Sequence, residues 1–242
     1  VRVDPGGVEE TQRIDEPAFG SVAGGDGAVF MYDAGTGRVG KLDTRTGVST
    51  SRVLLEPWEP AAPDATIVAT PDAVWVASGP GRATRLESGS LNDVDTFTVA
   101  DDADDTWLTT AGADLIVASR RDDAVELVRL DSAGEAQARS SASADTAAGT
   151  VVGIEATRDR VWLVRERGVE AFGIDDLRPR QDVALPGTAG TVRATTAMGD
   201  ALWLVTENGA AAYRISGDGT TAARVSVLTE PPETFRGQSD IV

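Results

Sequence analysis

The chain has 242 residues, 41% hydrophobic and 25% charged, the profile of a folded protein with a real core and not of a disordered segment. Its 39 acidic and 22 basic residues leave a net charge of −17, a field that repels phosphate backbones and anionic surfaces, so nucleic acid is set aside as a partner. Histidine and cysteine are absent, which removes disulfides, thiolate nucleophiles, Cys/His metal cages and imidazole bases.

In chain order, the opening "VRVDPGGVEETQRIDEP" (1–17) shares its grammar with "GKLDTRTGVSTSRVLLEP" (40–57). Both run aliphatic, Asp, Gly-containing turn, Val, strand, then an acidic residue and Pro. Val3-Asp4 therefore aligns with Leu42-Asp43, and residues 1–17 read as the last two strands of a four-stranded unit. Five full units follow, at 18–62, 63–103, 104–149, 150–190 and 191–231. Their second strands are "GAVFMYD" (27–33), "DAVWVAS" (72–78), "ADLIVAS" (113–119), "DRVWLVR" (159–165) and "DALWLVT" (200–206). Each carries one large residue at the same place: Phe30, Trp75, Ile116, Trp162 and Trp203. Further on stand Leu42-Asp43, Leu86-Glu87, Leu130-Asp131, Ile174-Asp175 and Ile215-Ser216, with aliphatic residues 44, 44, 44 and 41 positions apart. That period matches propeller blades.

Within the second unit the strands are "TIVAT" (66–70), "AVWVAS" (73–78), "ATRLE" (83–87) and "DTFTVA" (95–100), separated by Pro-Asp, Gly-Pro-Gly and Gly-Ser-Leu-Asn-Asp. Short strands between such turns are antiparallel hairpins. No helical period is present, and "DLRPRQDV" (176–183) has proline where a helix needs a donor. The final residues 232–242 end in "QSDIV", which resembles "DATIV" (64–68), the start of a first strand. The expected fold is all-β: a single β-propeller region over 1–242, with four-stranded antiparallel blades, about six in number. Either the two ends complete one mixed blade, or the chain is a piece of a larger propeller, which the abrupt stop at Val242 favours.

A lone four-stranded sheet cannot bury both faces, whereas neighbours stacked around an axis can, and closure protects the edges. The repeated Trp/Phe/Ile position is then a core position between blades. Each such side chain contributes on the order of 1.5–3 kcal/mol when buried.

The phrases "DAVWV" and "DALWLVTENG" resemble the bacterial extracytoplasmic propellers of the streptogramin-lyase-like, YncE-like and PQQ-like repeat groups. The stretch "GAVFMYDAGTGRVGKLDTRTG" (27–47) further resembles the propeller region of large actinobacterial envelope proteins that carry fibronectin-type-III or Ig-like domains. The resemblance implies an extracytoplasmic location, at the cell surface or secreted, with any signal or anchor outside this segment. Its motifs are packing signatures and do not fix an activity. Streptogramin lyases use a histidine, and PQQ dehydrogenases use adjacent cysteines. Neither residue type is available here, and no cofactor is expected. The sialidase turn, the WD40 marks and the phosphate-binding glycine loops are also missing.

Three side chains stand out as candidate binding residues. Glu155 lies on the predicted innermost strand "VVGIEAT" (151–157), where other units have Val68, Thr109 or Thr196. Arg193 begins the neighbouring inner strand, so the two are expected either to pair structurally or to bind a ligand together. Trp58, in the Pro-rich connection "LEPWEPAAPD" (55–64), either caps the groove between blades or contacts a partner. The acidic run "DDADD" (101–105) is expected to be a solvated loop, since it lacks the spacing of a calcium loop, and no metal site is assigned. The runs "RRDD" (120–123) and "RERGVE" (165–170) read as hairpin-turn charges with surface salt bridges of small value.

Function is therefore expected to be that of a non-enzymatic binding or scaffolding module, with a protein partner or a surface glycan as ligand and no membrane insertion in this segment. A carboxylate-dependent hydrolase or lyase with a site at the propeller axis is the alternative. A ligand-sensing receptor ectodomain is a third reading.

Overall fold

Alternating segments bounded by Gly, Pro and Asp fold into the hairpins that their pattern predicts. The computed structural model describes residues 2–4, 7–9, 20–25, 27–53, 55–59, 66–207, 211–216 and 222–226. Every element among them is a strand. Strands β1 (Arg2–Asp4) and β2 (Gly7–Glu9) form a two-stranded antiparallel hairpin. The predicted first strand of a further unit, in 232–242, lies outside the described residues.

Five sheets follow, each a meander in chain order. The first holds β3 (Ser21–Gly25), β4 (Ala28–Asp33), β5 (Arg38–Asp43) and β6 (Ser49–Val53). The second holds β7 (Ile67–Ala69), β8 (Ala73–Gly79), β9 (Arg82–Glu87) and β10 (Asp93–Thr98). The third holds β11 (Asp105–Ala111), β12 (Asp114–Arg121), β13 (Ala124–Leu130) and β14 (Ala136–Ser143). The fourth begins with the two-residue β15 (Asp145–Thr146), then β16 (Gly149–Ala156), β17 (Arg160–Arg165), β18 (Gly168–Gly173) and β19 (Pro179–Ala184). The fifth holds β20 (Val192–Met198), β21 (Ala201–Thr206), β22 (Ala211–Ile215) and β23 (Ala222–Ser226). Four of the five predicted second strands are second in their sheets, and β17 is third only because the two-residue β15 precedes it. "DLRPRQDV" feeds an outer strand that starts on Pro179, where a missing N–H costs no ladder bond.

The chain divides into two compact units, Val1–Asp122 with Leu130–Ala136 and Asp123–Arg129 with Gln137–Val242. In the first unit, Phe30, Tyr32 and Val39 of one sheet pack against Ile67, Val74, Val76 and Leu86 of the next. Trp75 points to the opposite face of its sheet and is fully buried, its ring tilted 45° to Phe97 at 5.6 Å. In the second unit, Trp162, Val164 and Ala171 pack against Leu202, Leu204, Tyr213 and Ile215. Four of the five repeated large residues are thus fully buried or nearly so: Phe30, Trp75, Ile116 and Trp162.

Trp203 departs from this pattern, being only half-buried. It lies on the face of β21 opposite Leu202 and Leu204, alongside the exposed Val205. Among the described residues of its unit, no sheet packs on that face, so the repeated position loses its cover there.

The turns between third and fourth strands explain the aliphatic-acidic doublets. Asp43 Oδ1 accepts the amides of Arg45 and Thr46 at 2.9 and 2.8 Å, and Asp131 Oδ1 accepts those of Ala133 and Glu135 at 2.9 and 3.0 Å. Such Asx turns fix the loop. The Thr46 amide, above all, holds the Asp43 carboxyl below its usual range. In the fourth sheet the cap moves one residue on, to Asp176, which accepts from Arg178 at 3.0 Å. Asp175 of the predicted doublet instead meets Arg129 at 3.2 Å. Each of the four described turns also holds one residue at positive φ: Gly47, Leu91, Gly134 and Leu177 at 72°, 59°, 86° and 51°. Glycine is obligatory at 134, where a Cβ would overlap the Phe97 ring. Leu91 and Leu177 occupy the same left-handed well as buried side chains, at a backbone cost of about 1–2 kcal/mol offset by that burial.

Candidate functional site

The three candidate residues fall at three separate places. Trp58 is half-buried against the core shared by the first and second sheets. Its backbone amide donates to the Ala34 carbonyl at 2.9 Å. Its indole N–H donates to the Ala77 carbonyl at 3.0 Å and lies 3.3 Å from the Tyr32 hydroxyl. This geometry is that of a strut spanning the groove between two sheets. Burial pushes the Tyr32 phenol up to about 12, against the Trp58 hydrogen bond, which favours the phenolate.

Two consequences are measurable together. Trp58→Phe keeps the ring but loses the N–H, and is expected to cost about 1–2 kcal/mol. Above pH 10 an unfolded chain releases the Tyr32 proton while the folded chain keeps it to about 12. The stability tied to this group is therefore complete below pH 10 and lost as the pH rises to 12. Denaturation of Tyr32→Phe beside the parent over that range checks it. Identical alkaline profiles would refute the buried phenol.

Glu155 sits on β16 directly opposite Trp162, facing the fifth sheet. Its carboxyl reaches the backbone amide of Ala197 on β20. Burial raises its pKa to about 7, with the amide pulling the other way. Arg193, its expected partner, pairs instead with Glu207 across the exposed edge of the fifth sheet. The β-bulge between Val192 and Ala194 on β20 takes Arg193 out of the regular register, a local irregularity that strand counting cannot foresee.

The charge runs also need correction. In "DDADD", Asp101, Asp102 and Asp104 are exposed as expected, but Asp105 turns inward and meets Arg120 at 2.6 Å. Among the described residues, no three carboxylates gather closely enough to hold a cation. In "RERGVE", Arg165 is no turn charge at all, since its side chain is fully buried. Its Nε donates to Glu170 at 2.8 Å, while its Nη atoms donate to the carbonyls of Ser143, Ala144 and Gly149 at 2.5, 2.8 and 3.2 Å. The guanidinium thus clasps the segment that carries the chain into the fourth sheet. The sequence signal was available: the equivalent second-strand positions are Asp33, Ser78, Ser119 and Thr206, so a polar side chain recurs at this place in every repeat.

No protein-family model and no curated protein matches the chain. Among solved structures it is similar to BamB from Moraxella catarrhalis, with a TM-score of 0.54 and 14% sequence identity. The alignment covers 87% of this chain and 65% of that one, so the chain spans less than two thirds of BamB's length. Repeated four-stranded meanders of constant period, superposable on that structure, decide the architecture. The fold is a β-propeller.

Two open clefts lie on the propeller's surface. One of about 440 Å³ is bounded by Pro80, Arg82, Thr98, Asp101 and Asp102. Another of about 390 Å³ lies between Thr146–Ala148, Arg167, Val169 and Leu185. Both are shallow and neither contains Trp58, Glu155 or Arg193. Arg165 is paired with Glu170 and Asp105 with Arg120 inside the fold. Asp101, Asp102 and Asp104 stand exposed next to the first cleft.

Proposed function

We propose that the chain is a non-enzymatic protein-binding or scaffolding module, working outside the cytoplasm as the propeller of a cell-envelope protein of the actinobacterial kind. The observation that carries this reading is the division of labour among charged residues. Arg165, Glu170, Asp105 and Arg120 hold sheets and loops together, while Asp101, Asp102 and Asp104 stand exposed beside an open cleft. A rigid sheet scaffold with charged loops suits recognition of a protein surface, and at a net charge of −17 the fitting partner surface is basic.

The test is site-directed cross-linking from position 104 in cells of the source, with the Asp101→Asn, Asp102→Asn, Asp104→Asn triple variant as control. Adducts to one basic partner that weaken in the triple variant and at high salt, with the melting temperature unchanged, support the reading. Adducts indifferent to both would overturn it.

The hydrolase or lyase reading has one observation in its favour, the near-neutral pKa of Glu155. A glycosidase would need a second carboxyl about 5–9.5 Å away across a bound sugar. Turnover of a glycan that Glu155→Gln abolishes would favour that reading.

A further inference from the structure

The five strand registers put one residue of each first strand directly opposite the repeated large residue. These pairs are Ala23 with Phe30, Val68 with Trp75, Thr109 with Ile116, Glu155 with Trp162, and Thr196 with Trp203. Four of the five first-strand residues are small and neutral, which suits a site between two sheets. The fold itself therefore has no need of a carboxyl here. Glu155 alone breaks the rule, and its tip meets the Ala197 amide of the adjoining sheet.

That amide is a spare donor. Strand β20 pairs only with β21, so its other edge has no ladder. A carboxyl from β16 therefore links the inner strands of two sheets at a free edge. The charged groups on surrounding elements do not neutralise it. Arg160 on β17 lies over the Trp162 ring at 5.8 Å, and Arg165 on β17 bonds Glu170 of β18 on the opposite face of the sheet. Arg193 on β20 pairs with Glu207, and Arg214 on β22 lies 3.9 Å from Asp200. Arg158 and Asp159, in the turn after β16, are exposed.

We propose that Glu155 is a protonation-controlled clasp between the fourth and fifth sheets, closed when the carboxyl is neutral and loosened when it ionises. The neutral acid lies beside Trp162 at the seam of the two sheets and accepts from Ala197. The anion has the same amide but, among the described residues, no counter-charge, so it draws water toward the seam and weakens the contact between β16 and β20. The propeller thereby holds these two sheets more tightly in mildly acidic than in mildly alkaline surroundings.

The direction of the linkage follows from burial. The unfolded chain titrates this group near its ordinary 4.5, and the folded chain near 7. Between these values the unfolded state has released its proton and the folded state still holds it. The contribution is therefore complete below 4.5 and lost as the pH rises through 7. Its size is on the order of a hundredfold in the folding equilibrium constant across that window.

The experiment compares urea denaturation of the parent and Glu155→Gln from pH 4 to 8.5, with hydrogen exchange at β16 and β20. The amide variant is expected to match the parent near pH 4 and to exceed it at pH 8. Exchange in Val192–Met198 should accelerate above pH 7 in the parent, beyond the intrinsic base-catalysed rate, and not in the variant. Glu155→Thr, which installs the residue of two other repeats, carries the same comparison if the amide fails to fold. Parallel pH profiles for the parent and a folded variant, or equal exchange, would overturn the proposal.

Discussion

Truncating Trp162 to alanine is expected to cost about 3–5 kcal/mol, a large share of the roughly 5–15 kcal/mol that stabilises a typical domain. The ring is fully buried in the core that joins the fourth and fifth sheets, and its indole N–H donates to Thr157 Oγ1 at 3.0 Å. Trp75→Ala should cost a similar amount, because its ring is equally buried against Phe97. The two differ under a milder change. The Trp75 indole N–H makes no hydrogen bond among the described residues, so Trp75→Phe removes only area. Trp162→Phe also strands Thr157 and should cost about 1 kcal/mol more. Trp203→Ala, at the half-buried copy of the same position, should cost about 1–2 kcal/mol. Urea titrations of the five variants rank them. Equal losses at positions 162 and 203 would mean that burial does not set the energy of this repeat.

That ranking also shows what a sequence can and cannot reveal. The strand order was legible because each position is written five times, so Phe30, Trp75, Ile116, Trp162 and Trp203 announce one role together. The turns were legible for the same reason, through Gly, Pro and Asp at constant offsets. Features that occur once were harder. Arg165 sits beside Glu166 and Arg167 in a run that looks like a hairpin tip, yet the carbonyls that bury it belong to Ser143, Ala144 and Gly149. A local window holds no trace of them. Leu91 and Leu177 occupy a backbone well that sequence rules reserve for glycine, and both side chains are buried, Leu91 in the core shared by the first two sheets. Glu155 was visible as an odd residue in its column, but the partner assigned to it was wrong. Its place at the start of the neighbouring inner strand suggested Arg193, while the bulged register of β20 sends Arg193 to Glu207 and leaves Ala197 to Glu155.

Arg165→Met is the second large effect, and its origin is polar. An exposed Arg–Glu pair contributes about 0–1 kcal/mol, so a turn charge would be removed almost without consequence. The buried arrangement predicts about 3–5 kcal/mol instead. Methionine fills most of the volume but offers no donor. Glu170, whose side chain is only 16% exposed, then keeps its charge without a counter-ion. The buried Ala144 carbonyl also loses its donor, and the partly buried bonds to the Ser143 and Gly149 carbonyls go with it. Lysine should not rescue the loss, since one ammonium cannot serve a carboxylate and three divergent carbonyls as the planar fork does. Adding Glu170→Leu to Arg165→Met should recover part of the stability by removing the orphaned charge, though not the share that belongs to the carbonyls. Thermal and urea denaturation of the single, conservative and double variants separates these contributions. A loss below about 0.5 kcal/mol for Arg165→Met would place the guanidinium at the surface and dissolve the clasp.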